Sequence, residues 1–347
     1  MTAPIIGDPS RRQFLTVLAA IGLLTACGSN STGSTGVDTS AGDFPLTVRH
    51  AFGSTVIPAA PQRVVTVGYS EQDPVLALGI APVGIREWFG KQPFATWEWA
   101  RDELGDARPE VLGLGDGLEF EKITALRPDL ILAPLGGILE AEYPILARIA
   151  PTIAHSTDVP EYGTPWPELT RSVGRMLGRT DRAEEAVAAI LNQFAEVVAA
   201  HPEFAGKSAV AAYDFGTAFG VYGPTQDPRG RFLVDLGFAF PPALASLFEA
   251  EEFYGEISRE QLGLLEADVV VWVVYRDSGQ EGVAGIEVDP VYRSLRVSRE
   301  GRHVFLSEAT DPVNAAFSFS SVLSLPLVLE RLVPKIATAL DGDPTTV

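Results

Sequence analysis

The run DVVVWVVY, residues 268–275, shows no polar alternation after its opening aspartate. A strand with one wet face would alternate, so this one needs apolar neighbours on both faces, as in a sheet layered between helices. The same grammar fills two halves of the chain. In the first, RVVTVG (63–68), PVGI (82–85), PDLILA (128–133) and PTIAH (151–155) read as buried strands, with helical patterns at 71–79, 96–104, 119–127 and 139–149. In the second, SAVAAYDF (208–215), AFGVYG (218–223), DVVVWVVY and HVFLSE (303–308) alternate with helical patterns at 229–236, 258–266, 290–295 and 315–340. Ahead of both, PLTVRHAFGSTVIP (45–58) alternates around Gly53 and reads as a small hairpin or edge element.

Between the halves, residues 164–201 carry the longest helical pattern. Ala183, Val187, Ile190, Phe194 and Val197 fall on one face, and Gly178 marks a break before a fresh cap at Thr180 or Asp181. A long helix joining two α/β lobes acts as a strut and limits hinging.

Composition narrows the chemistry. Against 26 basic residues stand 45 acidic ones, a formal charge of −19, so nucleic acid and bare anionic membrane are poor general partners. Cys27 is the single cysteine, which excludes an intrachain disulfide and any cysteine-built zinc or iron–sulfur site. His50, His155, His201 and His303 are scattered without ligand spacing, so no metal site is expected. Iron, if carried, has to arrive inside an organic chelate. GxSxG, Walker A, HExxH and a GxGxxG after the first strand are all absent.

Two stretches share one design. LEFEKITALRPDLIL (118–132) reads as a helix with Phe120, Ile123 and Leu126 inward, stopped by Pro128 and followed by a strand, with Glu121 exposed near the helix start. ISREQLGLLEADVVVW (257–272) repeats this: Ser258 and Gln261 form a capping box, Leu262 and Leu265 face inward, and Glu260 takes the place of Glu121.

The N-terminus resembles an export signal. Arg11 and Arg12 in SRRQFL match the twin-arginine pattern, and the apolar run 14–26 is too short for a membrane span of roughly 20 residues. Leu24-Thr25-Ala26-Cys27 resembles the bacterial lipobox, whose cysteine is lipidated as the signal is removed. The expected organisation is a twin-arginine lipoprotein signal (1–26), a Gly/Ser/Thr tether (27–43), an N-terminal α/β lobe (44–163), an interlobe helix (164–201), a C-terminal α/β lobe (202–341) and a tail (342–347).

FGSTVIPAAPQRVVTVG, DPVLALGIAPVGI, LEFEKITALRPDLILA, YPILARIAPTI, GRFLVDLGF and ISREQLGLLEADVVVW, in that order, resemble the substrate-binding lipoproteins of siderophore, haem and cobalamin ABC importers. The resemblance implies a class III periplasmic binding protein: two Rossmann-like α/β lobes joined by one long rigid helix, with the ligand cleft between them. It implies a ferric siderophore as cargo, no intrinsic cofactor, an ABC permease as partner, and an extracytoplasmic monomer anchored by lipid. Glu121 and Glu260 match the family's surface acids that dock onto permease arginines. Haem or cobalamin is the alternative cargo, with Tyr69, Tyr213 or Tyr275 able to serve haem iron; an envelope adaptor or a hydrolase on this fold is the alternative of another class.

The cleft is expected on loops at the carboxyl ends of the strands. Ligand-binding candidates are Tyr69, Arg86 and Trp88 in the first lobe and Tyr213, Tyr222, Arg231, Tyr254, Tyr275 and Arg276 in the second. Arg86 and Tyr254 are placed by the resemblance; Trp88 belongs to an aromatic loop beside Arg86, suited to a flat or greasy ligand. Trp97 and Trp99 suit lobe packing equally well, and Arg231 also suits a solvated helix start.

Overall fold

The chain enters through the expected hairpin, β1 (Leu46–His50) and β2 (Gly53–Ile57), where Gly53 takes a positive φ of 115°. The computed structural model describes residues 44–346 except 89, 114–116, 215–218, 249–251, 275–281 and 308–310. The first sheet comprises β3 (Val64–Thr66), β4 (Gly84–Arg86), β5 (Glu110–Leu112), β6 (Leu130–Ala133) and β7 (Thr152–Ala154), all parallel, in the order β5-β4-β3-β6-β7. Helices α1 (Gln72–Ala77), α2 (Arg101–Leu104), α3 (Phe120–Ala125) and α4 (Tyr143–Ile149) lie in its crossovers. Val64, Leu130 and Leu132 pack on one face with Val75 of α1, while Val65 and Ile131 pack on the other with Ile123 of α3 and Leu146 of α4. Both faces are dry, which is why the strands do not alternate.

Two helices follow, α5 (Trp166–Met176) and α6 (Thr180–Ala200), separated at Gly178, whose φ is 65°. They touch closely, since a Cβ on Gly174 would stand 2.4 Å from that of Ala183. Near its start α6 buries Ala183 in the core of the first lobe; further on it buries Ile190 and Phe194 in the core of the second. One continuous helix is thereby keyed into both lobes, and flexing the lobes apart would break its hydrogen bonds or unseat one of these side chains.

The second sheet comprises β8 (Ala209–Asp214), β9 (Phe219–Tyr222), β10 (Tyr254–Ile257), β11 (Val269–Val274) and β12 (His303–Leu306), in the order β10-β9-β8-β11-β12. β8, β11 and β12 run parallel and β9 antiparallel to β8. On β11, Val269, Val271 and Val273 enter one core while Val270, Trp272 and Val274 enter the other. The helices are α7 (Pro228–Asp235), α8 (Val283–Val288), α9 (Pro290–Ser294), α10 (Arg296–Arg299), α11 (Pro312–Phe319), α12 (Leu325–Arg331) and α13 (Val333–Ala339).

Several elements differ from the sequence reading. The single helix expected over 315–340 is three, because Ser320 is left-handed at φ 36° and Pro326 and Pro334 can sit only in first turns. The 258–266 helix is a 3₁₀ segment, Arg259–Leu265, and its Ser258/Gln261 capping box is present. The short strands β5 and β10 go unpredicted: β5 is three residues long, and β10 sits at a sheet edge with an exposed–buried pattern.

Candidate ligand-binding cleft

A cavity of about 470 Å³ opens between the lobes. The first lobe supplies Tyr69 and Ser70 from the end of β3, Leu135 from the end of β6, and Tyr162. Helices α5 and α6 close one side with Trp166, Glu168, Leu191 and Phe194. The second lobe supplies Asp227, Arg229, Arg231 and Asp235 around α7, Phe253, and Phe319 at the end of α11. For the first lobe this is the carboxyl-end placement expected of an α/β sheet. In the second, the described lining comes instead from α7 and α11, and the loops after β8, β11 and β12 fall among the undescribed residues.

The aromatic wall is continuous. Tyr69 stacks on Tyr162 at 5.9 Å and tilts against Phe319 at 6.0 Å, and the Trp88 ring meets Phe319 edge-on at 4.8 Å. Trp88 lies behind Phe319 at 5% exposure, outside the cavity lining. Trp97 is buried and stacks on Trp99 at 5.1 Å, so this pair packs the lobe.

Among the described residues each cleft arginine makes at least one hydrogen bond, although the buried Nε of Arg86 has no partner. Arg86 turns its Nη1 to the carbonyls of Val67 (3.1 Å) and Gly136 (3.2 Å), gripping the backbone beneath the cavity. Arg229 is held in a fork by Asp227, with Nε to Oδ1 at 2.8 Å and Nη2 to Oδ2 at 2.6 Å, and lies 3.6 Å from the Tyr222 ring centroid. Arg231 donates from α7 to the Gly163 carbonyl at 3.0 Å, so it is no free helix-start charge. Tyr213 and Tyr222 are buried against each other at 4.9 Å, and Tyr254, 57% exposed on edge strand β10, meets Tyr213 edge-on. None of Arg86, Tyr213, Tyr222 and Tyr254 lines the cavity, whereas Tyr69 and Arg231 do. Tyr275, Arg276, Cys27, Arg11 and Arg12 lie outside the described residues.

Two buried acids were not singled out from the sequence; both stand in GYSEQD (68–73), which runs from the end of β3 into α1. Glu71 accepts N–H groups from Gly68 (2.9 Å) and Leu135. It fits only because Gly68 has no side chain, since a Cβ there would lie 2.1 Å from Glu71 Oε1. Burial pushes its carboxyl up to about 7, against the pull of those two N–H groups and of nearby Arg86. Asp73 of α1 accepts from Trp99 Nε1 at 2.8 Å and from Ser321 Oγ beyond α11, tying the first lobe to the second; burial pushes it up to about 6.

Between an unfolded value near 4.5 and about 7, folded Glu71 keeps a proton that the unfolded chain has lost, so its contribution to stability falls as pH rises. Glu71→Gln mimics the protonated acid. Its stability relative to the parent is expected to improve from pH 5 to pH 8 by on the order of 2–3 kcal/mol in denaturant melts. His50 and His303, both held low by burial, act in the opposite sense in the parent but cancel in this difference. A pH-independent difference would show Glu71 to be ionised throughout.

Glu121 and Glu260 are exposed, in the first turn of α3 and of the 3₁₀ segment after β10. Both follow the carboxyl end of a strand, β5 in one lobe and β10 in the other. Among the described residues no cluster of His, Cys, Asp and Glu could hold a metal ion, and no helix is long and apolar enough to cross a membrane.

A family model described as periplasmic binding protein matches residues 64–310, spanning both sheets and the helices between them. The chain belongs to the periplasmic binding protein family. Among its relatives in that family, the iron(3+)-hydroxamate-binding protein YxeB of Bacillus subtilis is 30% identical over 302 residues, covering 82% of this chain and 85% of the relative. Of solved structures, a periplasmic solute binding protein from Mycobacterium smegmatis superposes with a TM-score of 0.73 at 32% identity, over 85% of this chain and 98% of that one. Streptococcus pneumoniae PiaA in complex with ferrichrome superposes at 0.73 with 26% identity, over 86% and 99%.

Proposed function

We propose that the protein is the substrate-binding component of an ABC importer, capturing a ferric siderophore outside the cytoplasmic membrane and handing it to the permease. The carrying observation is the interlobe cavity, about 470 Å³, walled by Tyr69, Tyr162, Phe253 and Phe319 with Arg229 and Arg231 at its side. Such a site holds a bulky, partly greasy chelate by its organic shell, and the protein needs no metal ligands of its own. The hydroxamate-binding relative and the ferrichrome complex support the same cargo. The role is capture and release, with no catalytic step.

Glu121 and Glu260 are the docking acids in this reading, one on each lobe. Exposed ion pairs give orientation and on-rate more than affinity, which suits a partner that must let go. Cys27 carries the lipid and Arg11-Arg12 direct export, leaving a monomer tethered near its permease at raised effective concentration.

Tryptophan fluorescence tests the binding step, because Trp166 lines the cavity and Trp88 and Trp99 lie close behind. Titration with ferric siderophores is expected to quench saturably at one site, with haem and cyanocobalamin silent. Quenching by haem or cobalamin alone would replace the cargo.

A further inference from the structure

The described cavity lining holds three carboxylates, Glu168, Asp227 and Asp235, against two guanidinium groups, Arg229 and Arg231. Neither cation is uncommitted. Arg229 is matched by Asp227 through two side-chain hydrogen bonds, and Arg231 is faced by Asp227, Asp235 and Glu168 while bonding the Gly163 carbonyl. Arg86 lies outside the lining, close to Glu71; its Nη1 donates to two backbone carbonyls, and its buried Nε meets no acceptor among the described residues. Among the described residues the lining is therefore slightly negative, inside a chain of net charge −19.

Ferric siderophores differ sharply in charge. Three singly charged hydroxamates cancel the iron and leave a neutral chelate, or a positive one if an ammonium tail is attached. Three doubly charged catecholates leave a triply negative chelate. Placing that trianion in a water-poor cleft requires surplus cations, because like charges at close range cost several kcal/mol. Here the described lining has no surplus. The aromatic wall, in contrast, suits the apolar backbone of a hydroxamate chelate.

We propose that the interlobe cavity selects a ferric trihydroxamate of zero or positive charge and rejects the ferric tris-catecholate, an inference that rests on the siderophore reading above. Glu168 is the lever that sets this preference: it is exposed at the first turn of α5, lines the cavity, faces Arg231 at longer range and makes a long contact with Arg171, at 4.0 Å.

The test is a fluorescence titration of the full chain with three probes: ferrichrome, a linear ferric trihydroxamate with an ammonium tail, and a ferric tris-catecholate. The tris-catecholate is expected to bind at least about 100-fold more weakly than ferrichrome at low salt. Raising salt should weaken the ammonium-tailed chelate and leave ferrichrome unchanged. Glu168→Lys should narrow the gap by about tenfold or more, improving the tris-catecholate and weakening the ammonium-tailed chelate. Equal or tighter binding of the tris-catecholate by the parent overturns this inference alone. Binding of none of the three overturns the siderophore reading and this inference with it.

Discussion

Arg229→Ala is expected to weaken binding of an uncharged ferric trihydroxamate by about 30-fold or more, equivalent to about 2 kcal/mol. The arginine holds Asp227 in a two-point ion pair, and the Asp227 side chain is only 3% exposed. Removing it leaves that carboxylate with the backbone N–H of residue 229 as its remaining partner at this position. A bound chelate would then seal away from water a carboxylate that has lost its two-point partner and keeps only the longer-range field of Arg231 against it, which is the costly half of breaking a buried pair. The Tyr222 ring also loses the guanidinium lying 3.6 Å from its centroid. Arg229→Lys keeps the charge but not the fork, and should fall between parent and alanine variant. Titrations run well below the melting temperature separate this loss from any loss of fold. An unchanged affinity would place the ligand away from α7.

Gly230→Ala is expected to destabilise the protein by about 3 kcal/mol or more in denaturant unfolding, reversing the usual sign for glycine in a helix. In the interior of an exposed helix, alanine in place of glycine gains roughly 1 kcal/mol. Gly230 lies in α7, yet a Cβ there would stand 2.0 Å from the carbonyl oxygen of Gly223 and 3.0 Å from the Cα of Pro224. Both are backbone atoms, so no side-chain rotation relieves the clash. The helix must retreat from the end of β9, carrying Arg229 and Arg231 with it, so ligand affinity should fall alongside stability. A neutral or stabilising effect would mean that α7 does not pack on this turn as described.

Much of the architecture was legible because it rests on local pattern. The unbroken apolar runs of β6, β8 and β11 announced strands dry on both faces, and the repeated helix–acid–strand unit placed Glu121 and Glu260 at equivalent points. What stayed hidden depends on distant partners. Trp88 looks like an exposed loop aromatic until Phe319, from the other end of the chain, covers it. Nothing local marks Glu71 and Asp73 as buried acids, because the groups that bury and bind them, Leu135 and Ser321, stand 64 and 248 residues away. The composition of GYSEQD carries no signal for that burial. The break at Ser320 was likewise missed, although Pro326 and Pro334 in the same stretch argued against one long helix.

These elements converge on one arrangement: a helix keyed into two lobes holds a pre-formed cleft, and aromatic and paired charged groups from both lobes wall it. A crystal of the protein grown with a ferric trihydroxamate, measured at the iron absorption edge, tests that arrangement most directly. A single anomalous iron peak is expected between Tyr69 and Tyr162 on one side and Arg229 and Phe319 on the other, with no protein atom coordinating the metal. An iron peak outside this cavity, or one bound directly by a protein side chain, would contradict it.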